Sequence, residues 1–160
     1  MTDVGAGAGA RSAVAVDLAL PFGRRVTSRD LAGAPSLLVL VPGAFTPVCA
    51  TELRDLDAAL PRLRPARVLV VSCDTAATLE AWRVHEGAGV EVASDHWPHG
   101  ALARSLDAFD DATGWARRHT VLLDGTGVEV WRDAAPGGRA RDVGLAVAAV
   151  RALAAGSVTA

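Results

Sequence analysis

The chain has 160 residues, a length that predicts one domain able to bury a hydrophobic core without disulfides or metals. With 16 basic and 18 acidic side chains, its formal net charge is −2, so we expect neither nucleic-acid binding nor attraction to an anionic membrane. Its apolar runs are far shorter than the ~20 residues that cross a bilayer. Two cysteines allow one disulfide at most and no secretory signal opens the chain, so we expect a cytoplasmic protein.

The first segment is a Gly/Ala stretch without periodicity, and we expect residues 1–10 to be disordered. The remaining residues, 11–160, contain no linker or repeat and are expected to form a single domain. Within it, the residues at 14–20 and 25–27 are compatible with a first hairpin. Short apolar runs at 37–41 and 68–71 are typical of strands buried on both faces, and we expect them at the centre of the sheet.

Apolar residues recur at helical spacing in four segments, which are residues 48–60, 75–86, 100–109 and 141–155. A second hairpin is predicted by extended runs at 118–123 and 128–131, joined by D-G-T-G. The alternation of strands and helices indicates an α/β domain. Functional groups are then expected at the carboxyl ends of its parallel strands.

Cys49 follows the first central strand at a predicted helix start. Thr46 suits the N-cap and Pro47 suits the first helical position, which places Cys49 in the first turn. Free backbone N–H groups and the helix dipole favour a thiolate there, so the spacing predicts an activated cysteine. The alternative at this point is that Cys49 is a small buried hydrophobic residue.

The run P-G-A-F-T-P-V-C at residues 42–49 resembles the PxxxTxxC signature of the peroxiredoxins. Glu52 stands three residues after the cysteine, as in many members, and R-H-T-V-L-L-D at 118–124 is similar to the segment that carries the family's arginine. The resemblance covers residues from about 14 to 155. It implies an α/β, thioredoxin-like (peroxiredoxin) fold with a central mixed sheet flanked by helices. It also implies thiol-dependent reduction of hydrogen peroxide and organic hydroperoxides.

The stretch S-D-H-W-P-H-G-A at residues 94–101 is similar to one found in the one-cysteine, alkyl hydroperoxide reductase E type of actinobacterial peroxiredoxins. This resemblance implies that no cofactor is used and that a cysteine sulfenic acid forms during turnover. An external thiol, either a low-molecular-weight thiol or a small redoxin, would then reduce the sulfenic acid. The resemblance also implies a homodimer.

By the same resemblance, the thiolate of Cys49 attacks the peroxide while Arg118 donates N–H groups to the sulfur and the peroxide oxygens. Register with the following strand favours Arg118. Neighbouring Arg117 is the alternative, because the sequence does not fix which residues of the strand face the site. His119, next to Arg118, is a candidate for tuning the charge of the pocket.

Four further residues receive roles from the resemblance. Thr46 would offer its hydroxyl to the peroxide, and the backbone N–H of Val48 would complete the polar pocket. Pro42 would shield the thiolate from water, and Glu52 would orient Arg118. The alternatives are that Thr46 only caps the helix and that Glu52 is a solvated first-turn carboxylate favoured by the dipole.

The second cysteine, Cys73, ends a strand at the same sheet edge as the Cys49 loop, so a resolving role is conceivable. A buried structural role is favoured, because the 24-residue separation (73 − 49) matches no resolving position known in the family. His96 and His99 supply too few ligands for zinc, so no metal site is expected. Trp97 and Trp115 are candidates for a rim or a dimer contact.

The chain departs from the family pattern at two places. It lacks the A-P-D-F opening, and the Gly-rich loop at 133–141 carries no recognisable specificity residues. The substrate preference therefore stays open. Because fold does not fix function, two other functions also stay open, namely a redox-sensing or regulatory protein and a peroxiredoxin fold used for a biosynthetic reaction. The joint presence of Pro42, Thr46, Cys49 and Arg118 favours peroxide chemistry.

Overall fold

The computed structural model describes residues 11–136 and 138–156, so the segment 1–10 that we expect to be disordered lies outside the described residues. The described residues form nine strands: β1 (Asp17–Ala19), β2 (Arg25–Thr27), β3 (Ser36–Leu40), β4 (Arg67–Ser72), β5 (Glu91–Ser94), β6 (Phe109–Asp110), β7 (Trp115–Ala116), β8 (His119–Leu123) and β9 (Glu129–Ala134). They also form five α-helices: α1 (Ser28–Leu31), α2 (Pro47–Leu63), α3 (Ala76–His85), α4 (Ala101–Ser105) and α5 (Val143–Ala154). None of these helices is long and apolar enough to cross a membrane.

Seven strands form one mixed sheet in the order β2-β1-β5-β4-β3-β8-β9, and β6 pairs with β7 in a separate small sheet. Strand β4 runs parallel to both of its neighbours, β3 and β5. Beyond β3, the sheet continues with β8, which is antiparallel to β3, and β9, which is antiparallel to β8. Strand β1 pairs antiparallel with β2. The predicted α/β class with a central mixed sheet is confirmed, and so are both predicted hairpins.

The core lies on the two faces of this sheet. Strand β3 is buried throughout, because its residues alternate between a cluster containing Leu37 and Val39 and a second cluster containing Leu38 and Leu40. Helices α2, α3 and α5 pack on the first face, whereas α4 packs on the second. Apolar runs without alternation therefore correctly predicted the strands at the centre of the sheet.

Two predicted helices are shorter than expected. The helix expected over residues 100–109 ends at Ser105, because Asp107 adopts a left-handed φ of 53° and the chain then enters β6. The helix expected from Arg141 begins at Val143, because the side chain of Asp142 caps it by accepting a hydrogen bond from the amide of Gly144 at 2.8 Å. Arg141 therefore lies outside the helix.

Candidate active site

The first turn of α2 places Cys49 at the carboxyl end of the central strands. Thr46 is the N-cap residue, with extended backbone, and Pro47 is the first helical residue. The first intrahelical bond runs from the amide of Ala50 to the carbonyl of Thr46 at 2.9 Å, so the amides of Val48 and Cys49 precede it. The Thr46 hydroxyl makes no capping bond and donates instead to the carbonyl of Gly43 at 3.2 Å.

The loop before Cys49 contacts the end of β4 and helix α3. The amide of Ala44 donates to Oδ2 of Asp74 at 2.8 Å, and the hydroxyl of Ser72 donates to the same oxygen at 2.7 Å. The ring of Phe45 packs near that of His85 in α3, with ring centroids 5.7 Å apart. These contacts fix the loop that delivers Cys49 into the first turn of α2.

Arg118 faces the sulfur of Cys49. Its Nη2 donates to Cys49 Sγ at 3.3 Å, and its Nη1 donates to the carboxylate of Glu52. Arg118 is buried, whereas Arg117 is exposed. The structure therefore brings Arg118 to the thiol and leaves Arg117 at the surface, and a cation at this distance stabilises negative charge on sulfur.

Glu52 is buried one turn after Cys49, on the same side of α2. Its Oε2 binds Arg118, while its Oε1 accepts from the backbone amide of Arg141 at 3.0 Å and from the Nε of Arg141 at 2.9 Å. The alternative of a solvated first-turn carboxylate is therefore wrong. Glu52 bridges two arginines, and the geometry fits a carboxylate that holds Arg118 in position.

Arg141 is the site residue that sequence reasoning missed. It is buried, and besides Glu52 it donates to the carbonyls of Leu40 at 2.6 Å and His119 at 2.9 Å, and to the hydroxyl of Thr120 at 3.1 Å. Every one of these partners is distant in the sequence. Among 16 basic residues, no local pattern marks an arginine that follows a Gly-rich loop.

An open groove of about 410 Å³ lies beside the buried Arg118. Pro42, Trp115 and Arg117 contribute to its walls, together with His119. Cys49 itself is fully buried. A small molecule would therefore approach Arg118 through this groove.

The surroundings of His119, in the wall of this groove, favour its neutral form. Burial, followed by the positive charges of Arg132, Arg141 and Arg117, lowers the pKa of His119 below its ordinary value of 6.5. Its Nδ1 lies 3.1 Å from Nη1 of Arg132 and accepts a hydrogen bond from that guanidinium, which assigns the ring proton to Nε2. The lowered pKa therefore disfavours a second positive charge beside Arg118.

Cys73 lies on the other face of the sheet from Cys49. Cys49 packs in the cluster with Leu37 and Val39, whereas Cys73 packs in the cluster with Leu38 and Leu40. The two sulfurs therefore share a sheet edge without being neighbours. Burial, with a further contribution from the charge of Asp95, raises the pKa of the Cys73 thiol to about 11. Position and chemistry both disfavour a resolving role.

The H-x-x-H pair makes contacts to backbone carbonyls. His96 Nδ1 lies 3.1 Å from the carbonyl oxygen of Cys73, and His99 Nε2 lies 2.7 Å from that of Gly114. Within residues 11–136 and 138–156, no group of three His, Cys, Asp or Glu side chains is placed to hold a metal ion. His99 instead joins the loop after β5 to the turn between β6 and β7.

A mixed sheet that presents a cysteine in the first turn of a helix, with an arginine against its sulfur, has the arrangement implied by the peroxiredoxin resemblance. The model of the AhpC/TSA family matches residues 11–130, and the chain belongs to this family of peroxiredoxins. This membership makes thiol-dependent peroxidase the activity class of the chain.

Comparison with individual proteins confirms the resemblance to the E type. Alkyl hydroperoxide reductase E of Mycobacterium tuberculosis is 34% identical over 131 residues, which cover 80% of this chain and 86% of the relative. Alkyl hydroperoxide reductase C of Staphylococcus aureus is 36% identical over 109 residues, covering 66% of this chain and 58% of the relative.

Solved structures confirm the fold. The crystal structure of Enterococcus faecalis AhpC has a TM-score of 0.79 at 25% identity, with 89% of each chain covered. A structure of Xanthomonas campestris peroxiredoxin Q has a TM-score of 0.73 at 28% identity, covering 89% of this chain and 91% of the other. The predicted thioredoxin-like peroxiredoxin fold is therefore confirmed.

Proposed function

We propose that the chain is a one-cysteine peroxidase that reduces hydrogen peroxide and organic hydroperoxides through a sulfenic acid at Cys49. The observation that carries this proposal is the 3.3 Å contact between Arg118 Nη2 and Cys49 Sγ in the first turn of α2. A thiolate needs stabilisation of its charge and a leaving alkoxide needs hydrogen-bond donors. Arg118 supplies both, because its planar group carries several N–H donors and a permanent charge.

In the proposed reaction, the Cys49 thiolate attacks the distal oxygen of the hydroperoxide. The S–O bond forms as the O–O bond breaks, so sulfur is oxidised and the peroxide is reduced. The distal oxygen keeps its hydrogen, so the sulfur product is the sulfenic acid, and the departing alkoxide or hydroxide takes a proton from solvent water and leaves as alcohol or water. Arg118 and the free amides of Val48 and Cys49 donate to the charge that develops on the departing oxygen.

Three residues support this step in the proposal. The Thr46 hydroxyl, now on the carbonyl of Gly43, is free to rotate toward a bound peroxide, because it is not needed to cap α2. Pro42 borders the groove beside Arg118 and limits the access of water to the thiolate. Glu52 holds Arg118 in place through the ion pair with its Nη1.

We further propose that an external thiol reduces the sulfenic acid. Cys73 lies on the opposite face of the sheet, and its raised pKa keeps the thiol protonated. A low-molecular-weight thiol or a small redoxin would therefore attack Cys49 Sγ, release water and leave a mixed disulfide for a second thiol to reduce. Such a donor fits a reducing, cytoplasmic compartment.

A homodimer is also proposed. Trp97, between β5 and α4, is 80% exposed, and Trp115, in β7, is 54% exposed, so two large aromatic residues lie at the surface. Exposed aromatic residues are enriched at protein interfaces. Sedimentation velocity over a concentration series tests this proposal, and a monomer at all concentrations would contradict it.

The peroxidase proposal is tested by stopped-flow Trp fluorescence, in which the reduced protein is mixed with hydrogen peroxide or an organic hydroperoxide. We compare the wild type with Cys49→Ser and with Cys73→Ser as the matched control. The expected result is a fast transient that only Cys49→Ser abolishes, and a product about 16 Da heavier by intact mass, which corresponds to one oxygen.

Three other outcomes would each contradict a different part of the proposal. If the wild type loses two hydrogens and Cys73→Ser stops at the sulfenic acid, then Cys73 resolves and the one-cysteine mechanism is wrong. If neither peroxide reacts quickly, the fold serves another reaction. If Cys49 oxidises quickly but no thiol donor supports turnover, a redox sensor explains the site better than a peroxidase.

A further inference from the structure

The turn between β1 and β2 carries a residue that its backbone does not favour. Phe22 and Gly23 both have positive φ values, 62° and 73°, and the amide of Leu20 donates to the carbonyl of Arg24 at 2.8 Å. This bond closes a three-residue loop of Pro21, Phe22 and Gly23, and a bulky side chain is strained at positive φ, where Gly, Asn and Asp are enriched. The Phe22 side chain is nevertheless 85% exposed. Neither turn geometry nor core packing explains this phenyl ring.

Phe22 forms part of the wall of a groove of about 640 Å³ between this turn and helix α3. The groove is larger than the one beside Arg118 and shares no lining residue with it. Small-molecule sites typically occupy roughly 300–1,000 Å³ and are mostly apolar. Its apolar wall consists of Ala19, Leu20, Pro21, Phe22, Ala76, Ala77 and Ala81.

Among the described residues, one arginine that lines this groove, Arg24, forms no ion pair. Arg25 pairs with Asp17 at 2.7 Å, and Arg83 binds both carboxylate oxygens of Glu80, at 2.6 and 2.8 Å. Arg24 bonds only weakly, from its Nε to the carbonyl of Pro21 at 3.4 Å, and no carboxylate of the described residues forms an ion pair with it.

The charge of Arg24 also reaches the opposite rim of the groove. The pKa of Glu80 is lowered first by its hydrogen bond with Arg83 and, to the smallest extent, by the charge of Arg24. Because Glu80 is already held by Arg83, Arg24 keeps its donors for another anion. The groove thus combines the available guanidinium of Arg24 with an apolar wall.

We propose that this groove binds an amphipathic monocarboxylate. The alkyl or aryl body lies between the ring of Phe22 and the alanines of α3, where it removes apolar surface from water. The carboxylate binds the guanidinium of Arg24, which is suited to a planar anion. A binding role also explains why a strained and exposed phenylalanine occupies a position that suits asparagine.

The test uses the full-length protein and a dansylated undecanoic acid, whose emission rises in an apolar site. We expect saturable binding that decanoate displaces and that decanol displaces much less. Phe22→Asn and Arg24→Gln are each expected to weaken binding about tenfold or more. Arg29→Gln, which removes an exposed arginine of α1 outside the groove, is the matched control and should bind as the wild type does.

A second measurement separates binding from folding. Phe22→Asn places a residue that tolerates positive φ in the turn, so its urea unfolding midpoint should be equal to or higher than that of the wild type. Weaker binding without lower stability supports the proposal. It is overturned if the probe does not bind, if both variants bind normally, or if decanol competes as well as decanoate. Self-association that Phe22→Asn abolishes would assign the groove to a second copy of the chain instead.

Discussion

Arg118 Nη2 lies 3.3 Å from the Sγ of Cys49, although 69 positions separate the two residues in the sequence. The contact follows from the sheet, because β3 leads to Cys49 and pairs antiparallel with β8, which begins directly after Arg118. Neighbouring Arg117 is exposed. A shift of one residue in this segment would exchange the two arginines, so the register of β8 determines which one reaches the sulfur.

We predict that Arg118→Lys lowers the rate constant for oxidation of Cys49 by about 100-fold, the usual cost of losing one preorganised donor to a developing charge. Lysine keeps the charge but cannot donate in one plane to both Cys49 and Glu52. Stopped-flow fluorescence at several peroxide concentrations measures this constant. Arg117→Lys is the matched control, and an equal loss in both variants would show that the two arginines act only through general charge.

Arg141→Met is predicted to lower the free energy of unfolding by about 3 kcal/mol, because it breaks a buried ion pair and leaves Glu52 with fewer donors. Carbonyl oxygens of Leu40 and His119 also lose a hydrogen bond each. Urea unfolding followed by circular dichroism measures the change. Arg151→Met, at an exposed position of α5, is the control and should leave the unfolding midpoint near that of the wild type.

The same variant tests whether Arg141 positions the site. In this variant, Glu52 retains Arg118 and the backbone amide of residue 141 as donors, but it loses the bond from the Arg141 Nε to its Oε1. We therefore expect slower oxidation of Cys49 under conditions where the variant is fully folded, with partial recovery in Arg141→Lys. An oxidation rate equal to that of the wild type would assign Arg141 to stability alone.

Cys73 is predicted to react slowly with alkylating reagents. Its pKa of about 11 leaves only ~0.1% thiolate at pH 8, whereas an ordinary cysteine is partly ionised there. In the Cys49→Ser variant, which contains Cys73 alone, the rate of iodoacetamide labelling should rise about tenfold per pH unit from pH 8 to 10. Mass spectrometry follows the labelling, and a rate that levels off below pH 9 would contradict the raised pKa.

Local signals account for the parts of the site that the sequence predicted well. Thr46 and Pro47 specify the helix start by backbone preference alone, and this fixes Cys49 in the first turn. Unbroken apolar runs likewise predicted β3 and β4, because strands buried on both faces lose the usual alternation. The role of Arg118 came only from the family resemblance, since its contact with Cys49 depends on strand register.

Long-range contacts account for what was missed. Strand β5 has only four residues, and it is recognisable as a strand through its pairing with β4 and β1. Arg141 follows a Gly-rich loop, and its burial depends on Glu52, 89 positions away. Cys73 shares a sheet edge with Cys49, but it continues the alternation of β4 onto the second face, whereas α2 packs Cys49 on the first. Such placements depend on tertiary structure, so no local sequence pattern predicts them.

His119 is predicted to make the stability of the fold depend on pH in the acidic range. Its pKa is lowered in the native state, chiefly by burial, so between that value and 6.5 the native state binds fewer protons than the unfolded chain. The stabilisation from neutral His119 is therefore complete above pH 6.5 and is lost as the pH falls through the native pKa. Protonation also ends the hydrogen bond that Nδ1 accepts from Arg132.

His119→Asn keeps an acceptor near Arg132 and removes the titration. The free energy of unfolding of the wild type should therefore fall more steeply than that of the variant between about pH 7 and pH 5. Urea unfolding at each pH measures both slopes, and the NMR titration of the imidazole gives the pKa directly. Parallel slopes, or a midpoint at or above 6.5 in the native protein, would contradict the lowered pKa of His119.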